Sequence, residues 1–331
     1  MIRTPYITGD KATFVWQGAE APLLIGDFNR WNPADSPTFE QKTAGIWTCE
    51  IRLPSDAYIE YAYRQDREHV LDPGNPRKVS NGFDKFNNYF YMPGAAPTPL
   101  ISRRVSLPRG SVTWHKLPVN QRSRQVVLYQ PPVDELCPLL VVYDGTDYLR
   151  QARLLTILDN LIDQKRIRPI AAALVANGGP LRLTEYHCND ATIAFVRNEL
   201  LPLAQEHLNL LDPTQSPGAY GVMGASMGGL MAMYTGMRLP QIFGHILSQS
   251  GAFFPWSVIN DLIRLSERLP LKVWMDVGRL ERLQQVNQAY YDLLVAKGYS
   301  VSCRVYSGGH NYTAWRDDLS RGLEYLYGSQ P

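Results

Sequence analysis

Cysteine is scarce in this chain of 331 residues: Cys49, Cys137, Cys188 and Cys303 stand far apart, with no Cys-x-x-Cys pair. Zinc sites and disulfide frameworks need clustered or regularly paired cysteines, so neither is expected, and buried thiols in a reducing compartment fit better. An excess of charge is also missing. The formal charge is +2 and no basic run is longer than Arg103-Arg104, which leaves no electrostatic basis for binding nucleic acid or an anionic membrane surface. No apolar run approaches the ~18 residues of a membrane span. Met1-Ile2-Arg3-Thr4-Pro5 lacks the apolar centre of a signal peptide. A soluble, cytoplasmic protein is the expectation. A hydrophobic content of 45% excludes a disordered or fibrous chain, and the length suggests about two domains.

The first part of the chain reads as all-β. Thr13-Phe14-Val15-Trp16, Ala21 to Ile25, Gly45 to Ile51 and Ile59 to Arg64 are short aromatic or β-branched runs separated by turn clusters such as Asn32-Pro33-Ala34-Asp35. A small β-sandwich over residues 1–93 is expected, followed by a Pro- and Ala-rich linker over 94–105. From residue 106 to 331 strands alternate with helices. Leu139 to Tyr143, Ile170 to Val175, Ala219 to Met223, His245 to Gln249, Lys272 to Val277 and Val301 to Tyr306 read as strands. Helices are expected near Arg150 to Gln164, Ala191 to His207 and after each later strand. Such alternation implies a mostly parallel sheet flanked by helices, an α/β fold.

Within that pattern lies Gly224-Ala225-Ser226-Met227-Gly228, between an apolar strand and an apolar helix. It matches the G-x-S-x-G nucleophile elbow, in which glycines let the chain double back around an exposed serine at a helix N-terminus. With such an elbow after a central strand, the plan is that of an α/β-hydrolase. A serine nucleophile needs a base and an acid, which follow it in the order acid, histidine. His310, in Ser307-Gly308-Gly309-His310 after the last strand, is the best-placed base. Two carboxylates compete for the acid: Asp276 within strand 272–277 and Glu281 in the loop after it. The strand-end rule favours Glu281, with Arg279 and Arg282 nearby to keep it ionised. Oxyanion donors are expected from the amide of Met227 and from that of Gly145 or Thr146. Asp144 and Asp147 have no His or Cys neighbour, so they read as solvated loop carboxylates able to meet substrate rather than a metal site. No cofactor and no metal is required for this chemistry.

Two resemblances add to this reading. Gly26-Asp27-Phe28-Asn29-Arg30-Trp31, the Tyr-x-Tyr strand, Asp72-Pro73 and Asn87-Asn88 resemble the glycogen-binding-type module, an early-set sandwich of carbohydrate-binding family 48. The sugar platform departs from that family, because Ala62 and His69 stand where it places a lysine and a tryptophan. Residues 106–330 resemble the esterase D superfamily, most closely its enterochelin (ferric enterobactin) esterase branch. The likeness rests on Asp144-Gly145, Arg182 to Asn189, Glu199 to Pro202, the elbow, Ser248-Gln249-Ser250-Gly251, Gly278 to Glu281 and Gly308-Gly309-His310 with Trp315. This resemblance implies a serine esterase with Ser226 as nucleophile, His310 as base and Glu281 as acid. It also implies that Arg182, Glu185, Asn189 and Trp315 border the pocket. After Gly251 the chain departs from the siderophore esterases' polar residue and tryptophans, but Ala252-Phe253-Phe254-Pro255-Trp256 stays aromatic. Phe253 and Trp256 are therefore candidates to hold a flat aromatic acyl group.

The implied substrate is a small-molecule ester, a catecholate siderophore or related aromatic ester, which can carry iron as cargo. Two rivals remain: a feruloyl or acetyl carbohydrate esterase, disfavoured by the missing signal peptide, and a non-catalytic glycan-binding protein, disfavoured by the intact Ser226 and His310.

Overall fold

The computed structural model describes residues 3–82, 85–119, 122–254 and 257–328. The chain divides into two compact units. One comprises Met1–Pro97, Gly278–Arg282 and Val305–Ala314, and the other Thr98–Val277, Leu283–Arg304 and Trp315–Pro331.

In the first unit nine strands make two antiparallel sheets. They are β1 (Tyr6–Thr8), β2 (Lys11–Gln17), β3 (Leu23–Gly26), β4 (Glu40–Thr43), β5 (Ile46–Arg52), β6 (Tyr58–Gln65), β7 (Glu68–Val70), β8 (Lys78–Ser80) and β9 (Phe86–Tyr91). The sheet orders are β1-β2-β5-β4 and β3-β6-β9-β8, with β7 beside β6. Period-2 patterning builds the core: Ala12, Phe14 and Trp16 of β2 meet Ile59, Tyr61 and Tyr63 of β6. Edge-to-face pairs Phe14–Tyr61 (4.9 Å) and Trp16–Tyr63 (5.0 Å) join the sheets. Each pair contributes about 0.5–1.5 kcal/mol beyond its area burial. The other face of β6 is also closed to solvent, for Tyr58, Glu60 and Ala62 are buried. The Tyr58 N–H donates to the Ser307 carbonyl (3.1 Å), and Leu280 packs on the aromatic core, so both remote segments complete this unit.

The second unit carries the α/β fold. Its strands are β10 (Ser111–Val119), β11 (Arg122–Gln130), β12 (Leu139–Val142), β13 (Ala171–Val175), β14 (Tyr220–Ala225), β15 (Phe243–Gln249), β16 (Lys272–Gly278) and β17 (Ser300–Tyr306), in sheet order β10-β11-β13-β12-β14-β15-β16-β17. β10 and β11 are antiparallel, and the strands from β13 through β16 run parallel. Every residue of β12, β13 and β14 is buried, as expected for central parallel strands covered on both faces.

Nine helices accompany these strands among the described residues: α1 (Gly145–Arg150), α2 (Leu154–Asp163), α3 (Arg182–Tyr186), α4 (Asp190–Phe195), α5 (Leu201–His207), α6 (Met227–Arg238), α7 (Val258–Leu265), α8 (Gln284–Ala296) and α9 (Tyr312–Tyr327). α2 buries Leu154, Ile157, Leu158 and Leu161, one stripe at helical spacing. Each such side chain contributes roughly 1.5–3 kcal/mol of transfer free energy. The helix expected from Arg150 to Gln164 is split before α2, where Arg153 takes a left-handed backbone (φ 52). The helix expected from Ala191 to His207 contains a wide π turn over Val196–Leu200 between α4 and α5. Pro202 lacks an N–H and crowds the preceding turn, and the wider turn accommodates it. Among the described residues no helix is long and apolar enough to cross a membrane.

Candidate active site

The elbow is built in the second unit. Ser226 has φ 58 and ψ −122, a backbone conformation that non-glycine residues rarely hold without support. That support is visible. The Ser226 N–H donates to the Gln249 carbonyl (2.8 Å), and the Ser226 carbonyl accepts from Leu230 (3.1 Å) and Ala252 (3.0 Å). Gly224 is sterically required, because a Cβ there would lie 2.5 Å from the Gly228 backbone. Ser226 is half-buried and its side chain does not cap α6, so its hydroxyl is not consumed by the helix end. The first N–H groups of α6, beginning at Met227, have no acceptor within the helix and point their partial positive charge toward the elbow.

Beside it, β12 pairs in parallel with β14, with Val142 opposite Met223, and the Tyr143 N–H donates to the Met223 carbonyl (2.9 Å). The strand register thus brings Asp144, Gly145 and Thr146 next to the elbow strand, and α1 begins at Gly145 with no side-chain cap. The amides of Met227, Gly145 and Thr146 therefore all lie at helix starts in one unit.

Asp144 is a correction to the sequence reading. It is fully buried, not solvated, and Arg182 holds it bidentately, Nε to Oδ1 and Nη2 to Oδ2 at 2.7 Å each. The Asp144 N–H donates to the Tyr186 hydroxyl (3.1 Å), and the Arg182 guanidinium lies 5.4 Å from the Tyr186 ring centroid. A Cβ on Gly228 would approach Asp144 Oδ2 to 3.1 Å, so this ion pair buttresses the start of α6. Asp147 is half-buried, accepts from Asn177 Nδ2 (3.2 Å) and Gln151 Nε2 (3.3 Å), and burial raises its carboxyl above the usual range. Among the described residues no group of three or more His, Cys, Asp or Glu side chains is arranged to hold a metal ion.

The other expected pocket residues have diverse places. Glu185 forms a bidentate pair with Arg124 (2.7 and 2.9 Å), and Asn189 caps α4 by accepting from the Ala191 N–H (2.8 Å). With Tyr143, Tyr186 and Phe195 these side chains line a cavity of about 140 Å³. Trp315 is buried, donates its indole N–H to Ser250 Oγ (2.9 Å) and accepts from Gln249 Nε2 at its carbonyl (3.0 Å). Phe253 is another correction: it is fully buried and stacked on Tyr290 (4.2 Å, 10°), so it is a core residue with no face to offer a ligand. Trp256 lies outside the described residues.

The two candidate acids differ sharply. Asp276, fully buried in β16, accepts at Oδ2 from Gln249 Nε2 and Trp274 Nε1, both at 3.0 Å. Glu281 and His310 both belong to the first unit, where Glu281 Oε2 lies 2.5 Å from His310 Nδ1. The Gly278 N–H donates to Glu281 Oε1 (2.7 Å), fixing the carboxylate from its other side. Glu281 is 4% exposed, while 36% of the His310 side chain is exposed. With the Nδ1 proton donated to the carboxylate, the basic atom of the imidazole is Nε2. Residue-type reasoning missed Arg124 and Tyr186, since their partners lie far away in sequence and no local signal marks them.

The sequence pattern of the esterase family matches residues 118–326. The chain belongs to the esterase family. Within it, the chain is 31% identical over 210 residues to the iron(III) enterobactin esterase of Dickeya dadantii, a match covering 57% of this chain and 47% of that protein. It thus spans about half the length of that relative. It is 29% identical over 274 residues to the iron(III) enterobactin esterase of Escherichia coli K12, covering 78% and 67%. The ferric enterobactin esterase of Salmonella typhimurium shares the fold, with a TM-score of 0.81 over 96% of this chain and 93% of that one at 21% identity.

Proposed function

We propose that this esterase hydrolyses carboxylic esters through an acyl-enzyme on Ser226, with His310 as general base and Glu281 orienting it. The observation that carries the reading is the supported elbow at Ser226 (φ 58), whose hydroxyl is left unused by the helix it precedes. The short Glu281–His310 contact supports the assignment of the base and of its orienting acid.

His310 Nε2 takes the Ser226 proton as Oγ bonds to the ester carbonyl carbon. The carbonyl oxygen becomes an oxyanion facing the amides of Met227 and of Gly145 or Thr146. The C–O bond to the leaving alcohol then breaks and His310 returns the proton to that oxygen. Water repeats the sequence and releases the acid. The imidazolium formed midway is stabilised by the Glu281 carboxylate, as an orienting acid does in such triads.

The substrate we propose is a catecholate siderophore ester or a related aromatic ester, in keeping with the enterobactin esterases to which the chain is similar. Any iron it carries is cargo. Kinetics on a panel of a cyclic catecholate triester, a feruloyl ester and an acetyl ester test this. We expect the highest kcat/KM for the catecholate; preference for feruloyl or acetyl sugar esters contradicts the substrate class. Ser226→Ala should abolish turnover of a p-nitrophenyl ester while leaving the melting temperature near that of the wild type. Unchanged turnover would remove Ser226 from the chemistry.

A further inference from the structure

The strand-to-turn segment of the first unit carries a carboxylate for which the triad has no use. Asp27 opens the short 3-10 turn Asp27–Asn29 after β3 and is only 2% exposed. Its Oδ1 accepts from Trp31 Nε1 (3.0 Å), and its Oδ2 accepts from the Glu60 N–H (2.8 Å). Those two bonds would suffice to hold a turn. Two further observations tie Asp27 to the loop bearing His310. Asn311 Nδ2 donates to Asp27 Oδ2 (3.3 Å). On the other side of the histidine, Gly309 approaches so closely that a Cβ there would lie 2.1 Å from Asp27 Oδ1. The residues flanking His310 thus both rest on one buried carboxylate.

We propose that Asp27 is a positioning residue for catalysis, seating the Gly309–Asn311 loop so that the His310 imidazole keeps its alignment with Glu281. The assignment rests on the reading of His310 as the base. It also accounts for Trp31, whose indole N–H is committed to orienting Asp27.

Electrostatics support the geometry. Burial raises the Asp27 carboxyl to about 7; the Glu60 N–H and Trp31 indole lower it, the Glu281 charge raises it and His310 lowers it. The other titratable groups facing this region are Tyr58 and Glu60, joined to each other by a hydrogen bond of 3.1 Å. The side chain of Glu60 is further held by Asn87 Nδ2 (2.8 Å).

The test compares Asp27→Asn and Asn311→Asp, each with and without His310→Ala, using a p-nitrophenyl ester well below each melting temperature. A misaligned base should lower kcat about tenfold with KM within about twofold of wild type. The acid limb of the kcat/KM profile should hardly move in Asp27→Asn, because a carboxyl raised to about 7 is largely neutral there; Asn311→Asp adds a negative neighbour to His310 and shifts the limb to higher pH. In the His310→Ala background neither substitution should lower kcat further. If His310→Ala abolishes activity but both variants keep wild-type kcat and Asn311→Asp leaves the limb unmoved, the role of Asp27 is overturned and the triad stands. If His310→Ala retains wild-type turnover, the base assignment falls and this inference with it. Should Asp27→Asn not fold, Asn311→Asp decides alone, since it keeps the acceptor that caps the start of α9 at Ala314.

Discussion

Glu281 and Asp276 are both buried carboxylates near the end of one strand, and their partners predict different consequences of losing them. Glu281→Gln should lower kcat by about 10²–10⁴-fold at little loss of stability, because it disturbs the tautomer and charge that His310 relies on. Asp276→Leu leaves two buried donors, Gln249 Nε2 and Trp274 Nε1, without their acceptor and should chiefly lower stability, by about 1–3 kcal/mol in urea unfolding. The reverse ordering in kcat would make Asp276 the acid.

Asp27 gives a pH signature of its own. Its folded value, about 7, lies above the ordinary 3.8, so its stabilising contribution is complete below that ordinary value and is lost as pH rises through about 7. The stability advantage of wild type over Asp27→Asn should therefore be larger at pH 5 than at pH 8 in urea titrations. Residue identity alone could nominate Ser226, His310 and Glu281, because elbow and strand-end rules are local. It misread Asp144, whose bidentate partner Arg182 is 38 residues away, and Phe253, whose burial depends on Tyr290 of α8.

At the scale of elements, the alternation of apolar strands and amphipathic helices was legible from periodicity, and the mixed sheet follows it. β1, β4, β7, β8 and β9 went unread: the first four, of three or four residues, carry too few positions to show a period of two, and in β9 the polar pair Asn87-Asn88 breaks the alternation. The break before α2 and the π turn were equally hidden, since a helical stripe tolerates a local change of pitch. Two predictions belong here. Gly224→Ala should destabilise the β14–α6 turn by roughly 1–3 kcal/mol and lower esterase activity together with it, because the Cβ meets backbone that cannot rotate away. On β15, burial together with Arg168 and Lys272 lowers His245 from 6.5 to about 4. A histidine lowered in this way stabilises the fold above its unfolded value, and that contribution is lost as pH falls from about 6.5 to 4. His245→Gln should flatten this part of the acid-unfolding curve followed by circular dichroism.

Across the whole molecule, the chain order hides which segments fold together. Gly278–Arg282 and Val305–Ala314 follow strands of the α/β sheet yet fold with the N-terminal β unit, bringing Glu281 and His310 with them. No local pattern announces this, because the bonds that secure it, such as Tyr58 N–H to Ser307, link residues from opposite ends of the chain. The fold class was readable from the order of strands and helices and the esterase family from a resemblance in separated motifs, whereas the ester's identity depends on a pocket shape that sequence does not encode locally. The central claim is covalent catalysis at Ser226, and intact-protein mass spectrometry after fluorophosphonate treatment addresses it directly. One adduct per chain is expected, mapped by peptide fragmentation to Ser226 and absent from Ser226→Ala. An unlabelled wild-type chain that still hydrolyses p-nitrophenyl esters, or an adduct mapped elsewhere, would contradict it.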